Sequence, residues 1–281
     1  MGTAVRDAAT VILVRDGDRR TDGLLEVFLQ RRTKSMAFAA GMTVFPGGSV
    51  EESDFDTSVP WFGGDTGSWR PDDFARCLDV PVPTAKALVC AAVRETFEEC
   101  GALLACRSDG TELSASEVAD GAAQHRGELV AGTMSIAEIL RKYGLALRAD
   151  LLLPVDNWIT PEPSPRRYDT RFFLAVLPEG QDADGETSEA DECTWMAPSA
   201  AIAEWRLGNS VLMPPTWCQL TRLLDIQSTQ EVSALRDDAR AGEPLPAIQP
   251  IMERHDGQLR TIFPNCEAYY LQQADRPNAT T

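Results

Sequence analysis

The segment AAVRETFEECGALL (91–104) constrains the fold of this 281-residue chain more than any other part of it. At about 100° per residue, Glu95, Glu98 and Glu99 fall on one helix edge, because positions i, i+3 and i+4 are neighbours. The opposite side carries an apolar stripe made of Cys90, Val93, Phe97 and Cys100. The segment therefore predicts a helix that buries one face and exposes three carboxylates on the other.

Residues at both ends set the limits of this helix. Thr84, which follows Pro83, is the predicted N-cap residue, and residues that favour a helix continue from it to Glu99. Gly101 occupies the position at which a glycine commonly ends a helix. We therefore predict a helix over 84–99.

Three carboxylates on one edge repel one another, and Arg94 is the one cation beside them. A divalent ion would offset this repulsion, and carboxylate oxygens suit Mg²⁺ or Mn²⁺. The small side chains of Ala91 and Ala92, one turn back, would leave room for a substrate phosphate. An exposed acidic helix face is the alternative, and three glutamates taken alone are most often that.

The remaining segments interleave strands and helices without a regular β–α alternation. Strands are predicted at 11–14, 24–29, 151–160, 168–177 and 192–196, and helices at 198–207, 215–224 and 229–240. Helical patterns within 114–143 indicate an insertion, and 247–263 indicates a terminal hairpin. This order favours an α/β fold of the α/β/α sandwich type, with a mixed sheet, over a doubly wound parallel fold.

Residues 55–83 are rich in Gly, Pro and Asp and show no sustained period, which predicts a long ordered loop. Four aromatic side chains in this loop would be costly to expose. We therefore expect burial of Trp61, Phe62, Trp69 and Phe74.

The acidic helix and the glycine pair in FPGGSVEESD (45–54) together resemble the Nudix box, GGx5Ex7REUxEExGU. The matching residues are Gly47, Gly48, Arg94, Glu95, Glu98, Glu99 and Gly101. Asp54 stands where the family usually has Glu, and Thr96 replaces a bulky aliphatic residue. The 39 residues between Asp54 and Arg94 are 32 more than the motif has there.

The interrupted box is similar to that of a Nudix branch that contains the peroxisomal coenzyme A diphosphatase. Segments such as NWITPEPSPRRYDTRFFLA and LMPPTW extend the resemblance over roughly residues 9–224. It implies a single Nudix hydrolase domain over 1–281, with insertions at about 55–83 and 107–147. A C-terminal extension would begin at about residue 225.

The resemblance also implies roles for individual residues. Mg²⁺ (or Mn²⁺) would be held by Glu95, Glu98, Glu99 and the Gly47 carbonyl, and water would attack a diphosphate. Arg94 would pair with Asp54 and hold the loop against the helix. The general base would be Glu189 or Glu192.

Substrate contacts must come from outside the box, apart from Gly48. Arg166 and Arg167 offer planar donors for phosphate, Tyr168 offers a ring for stacking, and Arg32 lies upstream of the glycines. A solvated arginine pair is the alternative, and Trp158 is more often a core residue than a stacking platform. We expect a small nucleotide substrate of the CoA or acyl-CoA type, followed by NADH or ADP-ribose. A non-catalytic nucleotide sensor is the other alternative, which the retained glutamates disfavour.

The net charge and the cysteine content limit which binding partners and cellular compartments are expected. Acidic residues outnumber basic ones 43 to 26, and a net charge of −17 disfavours nucleic acid. The seven cysteines lack a CxxC arrangement, which predicts free thiols in a reducing compartment. No apolar run is long enough for a membrane span, so we expect a cytoplasmic protein, with a homodimer left open. His125 and His255 are expected at the surface.

Overall fold

A mixed β-sheet forms the frame of the chain, in a computed structural model that describes residues 4–17, 25–33, 39–62, 69–255 and 257–274. The strands are β1 (Val5–Asp16), β2 (Leu25–Arg32), β3 (Thr43–Val44), β4 (Gly47–Ser49), β5 (Ala105–Arg107), β6 (Leu145–Leu147), β7 (Leu152–Ile159), β8 (Arg167–Val176), β9 (Ala190–Met196), β10 (Ala247–Ile248), β11 (Ile251–His255) and β12 (Gln258–Ile262).

The main sheet has the strand order β10-β7-β8-β1-β2-β3, with β4 on β1 and β9 on β2. Strands β1 and β8 run parallel from the pair Val5 and Arg167 to the pair Val14 and Val176, whereas β1 and β2 are antiparallel. The predicted mixed sheet is therefore confirmed. Residues 18–24 of the connection from β1 to β2 lie outside the described residues.

The helices are α1 (Pro71–Leu78), α2 (Val82–Cys100), α3 (Ala115–Asp120), α4 (Arg126–Val130), α5 (Ile136–Tyr143), α6 (Pro198–Leu207), α7 (Pro214–Leu223), α8 (Thr229–Ala241) and α9 (Cys266–Ala274). Helix α2 packs against β1 and β4, and α8 packs against β1, β7 and β8. The buried faces of these helices and of the sheet form one hydrophobic core.

Helix α2 ends as predicted but begins earlier than predicted. Gly101 has a φ of 72° and donates its N–H to the Phe97 carbonyl, which closes the helix. Thr84 is not the N-cap, because the helix already begins at Val82. Pro83 fits inside the first turn, where a backbone N–H has no helical acceptor.

The segment 55–83 is not only a loop, since it contains α1. Its aromatic residues pack on the protein: Trp69 and Phe74 are buried, and Trp61 and Phe62 are half-buried. The rings of Trp61 and Trp69 lie 5.9 and 4.8 Å from the ring of Phe74. The expected packing of these aromatic side chains is confirmed.

Two other expectations are partly wrong. The segment 247–263 is not one hairpin, because β10 joins the main sheet parallel to β7 and only β11 and β12 form a hairpin. Helix α9 follows it without having been predicted. His125 is half-buried, since its ring nitrogens contact Glu128, Lys142 and Tyr143, whereas His255 is exposed.

The helices predicted within 114–143 are present as α3, α4 and α5, which accompany the antiparallel pair of β5 and β6. All seven cysteines are free thiols. Among the described residues, no helix combines the length and apolar character needed to cross a membrane.

Candidate active site

The glycine pair brings β4 into close contact with β1 and α2. Gly47 pairs with Thr10 and Gly48 pairs with Ala9 across the two strands. A Cβ atom on Gly47 would lie 2.4 Å from the Ala9 carbonyl oxygen, and one on Gly48 would lie 2.2 Å from Glu95 Oε1. Neither position has room for a side chain, so the glycines place the turn directly on the acidic helix.

The three glutamates are much less exposed than the sequence predicts. Glu95 and Glu99 are only 9% and 3% exposed, and Glu98 is half-buried. The acidic edge is covered because β4 and the 3₁₀ turn Glu52–Phe55 pack on α2. Ala91 and Ala92 are fully buried, so the expected space for a phosphate beside them does not exist.

Each glutamate already has polar contacts within the protein. Glu99 Oε2 accepts hydrogen bonds from Gln30 Nε2 at 3.1 Å and from the Gly47 N–H at 2.9 Å. Arg94 Nη1 lies 2.9 Å from Glu95 Oε1 and 3.3 Å from Glu98 Oε1. Glu99 Oε1 is buried and has no hydrogen-bond partner among the described residues.

Burial shifts the protonation of all three carboxyls. It raises the pKa of Glu95 to about 7, with the Glu98 charge adding to the shift and Arg94 opposing it. Burial also raises the pKa of Glu98. The pKa of Glu99 lies well above its ordinary value because of burial and the Glu95 charge. At all three carboxyls the effect of burial therefore outweighs that of the nearby arginine charge.

The chemistry of this donor set fits a hard divalent cation. Buried carboxylate oxygens, one of them without a partner, are suitable ligands for Mg²⁺ or Mn²⁺. In the described part of the chain, however, no three acidic, histidine or cysteine side chains already converge as a metal site. The reason is that Glu95 and Glu98 face Arg94, while Glu99 faces Gln30 and Gly47.

Arg94 makes the pair with Asp54 that the sequence predicts. Its Nε and Nη2 atoms lie 3.0 and 2.9 Å from the two Asp54 carboxylate oxygens, and Nη2 also donates to the Ser49 carbonyl. Asp54 Oδ2 accepts from the Glu51 N–H at 2.8 Å. The shorter aspartate reaches the guanidinium because the turn Glu52–Phe55 lies against α2. The pair thereby connects β4, this turn and the acidic helix.

A cavity of about 510 Å³ opens beside the glutamates. Its floor is the sheet, where Thr10 of β1, Thr170 and Phe172 of β8 and Trp158 of β7 face it. It includes nine of the predicted site residues: Arg32, Gly47, Gly48, Arg94, Glu95, Glu98, Arg166, Tyr168 and Glu189. Glu99, Arg167 and Glu192 do not line it.

Arg166, which lies in the bend before β8, and Arg167, the first residue of β8, have different surroundings. Arg166 and Tyr168 line the cavity, and Arg166 has no acidic partner in the described part of the chain. Arg167 is buried elsewhere, with Nε 2.9 Å from the Thr160 carbonyl and Nη1 2.8 Å from Glu162. The structure therefore places Arg166 in the cavity and Arg167 outside its lining, and substrate binding by either stays a prediction.

The two candidate bases are also separated. Glu189 lines the cavity and lies 2.8 Å from Arg32 Nη2. Glu192 pairs with Arg31 at 3.1 Å, and both side chains are largely exposed. Glu192 therefore lies outside the cavity in which the reaction would take place.

Several lining residues were missed by the sequence analysis. Trp158 is buried, as expected of a core residue, yet it also lines the cavity. Glu51 and the first residues of α7 lie in the segments SVEESD and LMPPTW. Both segments resemble the family, but no substrate contact was predicted for them. Pro250 and Thr261 come from the C-terminal extension, where no motif points to a site.

Comparisons with known proteins show what the sequence and the fold are similar to. The family model described as the NUDT19 Nudix domain matches residues 5–223. A crystal structure of a NUDIX hydrolase from Alicyclobacillus acidocaldarius has a TM-score of 0.65 and 27% identity, and the match covers 83% of this chain and 96% of that one.

Curated relatives are similar over most of this chain. A protein of Caenorhabditis elegans named putative nudix hydrolase 7 is 30% identical over 230 residues, which are 79% of this chain but 61% of that protein. The acyl-coenzyme A diphosphatase NUDT19 of Gallus gallus is 28% identical, over 94% of this chain and 79% of its own length. The chain thus spans less than two thirds of the length of the first of these two relatives.

Proposed function

Because this chain belongs to the Nudix hydrolase family, we propose that it hydrolyses the diphosphate of coenzyme A or of an acyl-coenzyme A. The observation that carries this proposal is that one cavity has three kinds of lining: the carboxylates of Glu95 and Glu98, the exposed guanidinium of Arg166, and apolar side chains such as Trp158 and Phe172. A diphosphate, a further phosphate and an uncharged chain would each have a matching surface. The name of the curated relative from Gallus gallus favours the same substrate class.

Glu95, Glu98 and Glu99 would hold Mg²⁺ or Mn²⁺, together with the Gly47 carbonyl as the resemblance implies. When bound, the ion would offset the phosphate charge and lower the pKa of a water. The chain itself shields two of these carboxylates from water, because Glu95 and Glu99 are buried where β4 packs on α2.

We assign the general base to Glu189. It is the candidate that lines the cavity, and Arg32 holds its carboxylate at 2.8 Å. Glu189 would take a proton from the attacking water as the new bond to phosphorus forms and the bond to the leaving phosphate oxygen breaks. The products would be two phosphate monoesters.

Replacement of Arg166 by Ala tests the recognition of the 3′-phosphate of CoA. This arginine lines the cavity without an acidic partner among the described residues, so it is available to a substrate anion. A charge-assisted hydrogen bond contributes about 1.5–3 kcal/mol, so we expect KM for CoA to rise about tenfold or more. KM for dephospho-CoA, which lacks this phosphate, should change little.

Replacement of Arg167 by Ala is the matched control. It removes the same charge from the neighbouring residue, whose guanidinium does not line the cavity and binds the Thr160 carbonyl and Glu162. It should lower the melting temperature and leave the KM ratio of CoA to dephospho-CoA unchanged. An equal rise of both KM values in the Arg166 variant would remove its assigned role.

The substrate class is tested by incubating the purified protein and Mg²⁺ with CoA, octanoyl-CoA, NADH, ADP-ribose and nucleoside triphosphates, with the products identified by mass. We expect the two CoA compounds to have the highest kcat/KM. Faster cleavage of NADH or ADP-ribose would reassign the substrate, and no turnover of any compound would favour a nucleotide sensor.

A further inference from the structure

The C-terminal extension contributes one wall of the cavity, although the family match ends at residue 223. Pro250 and Thr261 line the cavity from this extension. The wall is fixed to the rest of the protein: the ring of Phe263 lies 5.8 Å from that of Trp158, and Tyr269 donates its hydroxyl to the Leu212 carbonyl at 2.9 Å. The extension therefore belongs to the site as a structural part.

This side of the cavity, called the apolar end below, differs chemically from the rest. Its lining residues on β7, β8 and the C-terminal extension are Trp158, Ile159, Phe172, Pro250 and Thr261. None of these five carries a charge, and Pro250 has no backbone N–H to donate. Arg166 and Tyr168 line the neighbouring part of the cavity, where β8 begins. A nucleobase needs hydrogen-bonding partners along its edge, whereas an apolar chain needs none. The lining favours an apolar chain.

The apolar end lies far from the glutamates across the sheet. Ser49 of β4 pairs with Ala8 of β1, Ala8 pairs with Thr170 of β8, and Thr170 pairs with Trp158 of β7. Three strand spacings separate Ser49 from Trp158, which is about 14 Å at about 4.8 Å each. A substrate with its diphosphate beside Glu95 and Glu98 must therefore extend a long arm to reach Trp158.

A buried carboxylate fixes the shape of the apolar end. Asp156 is 6% exposed, and its Oδ2 atom accepts from Trp158 Nε1 at 2.9 Å and from Gln219 Nε2 at 2.6 Å. Gln219 belongs to α7, whose first residues also line the cavity. Asp156 thus connects two walls of the cavity, and the apolar end is formed before a ligand arrives.

We propose that the apolar end binds the acyl chain of an acylated substrate, with the C-terminal extension as its outer wall. The proposal rests on the proposed function and adds that the extension determines the longest chain accepted. Thr261 is the residue to vary, because it is half-buried and lines the cavity. Leu259, two residues earlier on the same strand, is exposed and offers a comparison.

The test is a series of Thr261 variants, Thr261→Val, Thr261→Leu and Thr261→Trp, assayed on free CoA and on acyl-CoA of increasing chain length. A single methylene in an apolar pocket changes specificity by about 10–200-fold. We expect Thr261→Val to match the wild type, whereas the Leu and Trp variants lose at least about tenfold in kcat/KM on long acyl-CoA. Their turnover of free CoA should be retained, which also shows that they are folded.

Leu259→Trp is the matched control, since Leu259 is 60% exposed on the same strand and does not line the cavity. It should leave the chain-length profile unchanged. Equal losses on free and acylated CoA, or an unchanged chain-length limit throughout the series, would overturn the acyl-chain assignment alone. A wild-type protein that cleaves neither free nor acylated CoA would overturn the proposed function together with it.

Discussion

Replacing Glu98 or Glu99 by Gln lowers kcat by about 100-fold or more while the protein stays folded. The activity falls because each substitution removes charge that would hold the divalent ion at the diphosphate, and losing one such electrostatic contact costs about 10²–10³ in rate. The fold is retained because Gln has nearly the same shape as Glu. The measurement is steady-state hydrolysis of CoA at saturating Mg²⁺.

Stability gives these variants a readout that is independent of activity. A raised carboxyl pKa means that the ionised form is less stable in the folded protein than in the unfolded chain. Without a divalent ion at neutral pH, the neutral Gln variants should therefore melt at the same temperature as the wild type or higher. Added Mg²⁺ should stabilise the wild type more than either variant.

Glu52→Gln is the control for this pair of variants. Glu52 is exposed near Asp54 and does not line the cavity. Its replacement by Gln changes the net charge by the same amount as the two test variants. Its turnover should equal that of the wild type. Normal turnover of Glu98→Gln or Glu99→Gln at saturating Mg²⁺ would refute the assignment of these residues to the metal.

Replacing Arg94 by Met lowers the free energy of unfolding by about 3–5 kcal/mol, the cost of leaving one partner of a buried ion pair alone. The Asp54 side chain is fully buried, and Arg94 also lies beside Glu95 and Glu98, so three carboxylates lose their cation. Arg94→Lys keeps the charge but loses the two-atom contact with Asp54, and its loss should be smaller. Urea denaturation measures both variants.

Arg141→Met is the matched control, because Arg141 forms an ion pair of similar length with Asp56 at 2.8 Å, but with 41% of its side chain exposed. An exposed pair contributes about 0–1 kcal/mol. If Arg94→Met cost no more than Arg141→Met, the buried pair would not be what holds the turn against the acidic helix.

The site could be predicted from the sequence where chemistry and spacing are local. Glu95, Glu98 and Glu99 share a helix edge because of their spacing alone, whether or not that edge is buried. Gly101 ends the helix because of its own backbone conformation, independently of the packing around it. The pair of Asp54 and Arg94 was available from the family resemblance despite the long separation along the chain. The role of these residues in catalysis stays a prediction.

The burial of the glutamates could not be predicted, because it depends on β4 and the turn after it folding over α2. The strand β10 has only two residues, which is too short to show the alternating pattern of a strand in the sequence. It forms because its backbone pairs with the edge of β7. By contrast, α1 had a local signal in Pro71 followed by Asp73, which the surrounding glycines and prolines obscured.

The most direct test of the central claim is hydrolysis of octanoyl-CoA in H₂¹⁸O with Mg²⁺, followed by mass analysis of the products. We predict adenosine 3′,5′-bisphosphate and octanoyl-4′-phosphopantetheine, with one ¹⁸O on a phosphate of one of the two products and no reaction after chelation of the metal. Release of octanoate carrying ¹⁸O, with the diphosphate of CoA intact, would contradict the account, because water would then have attacked the thioester instead of phosphorus.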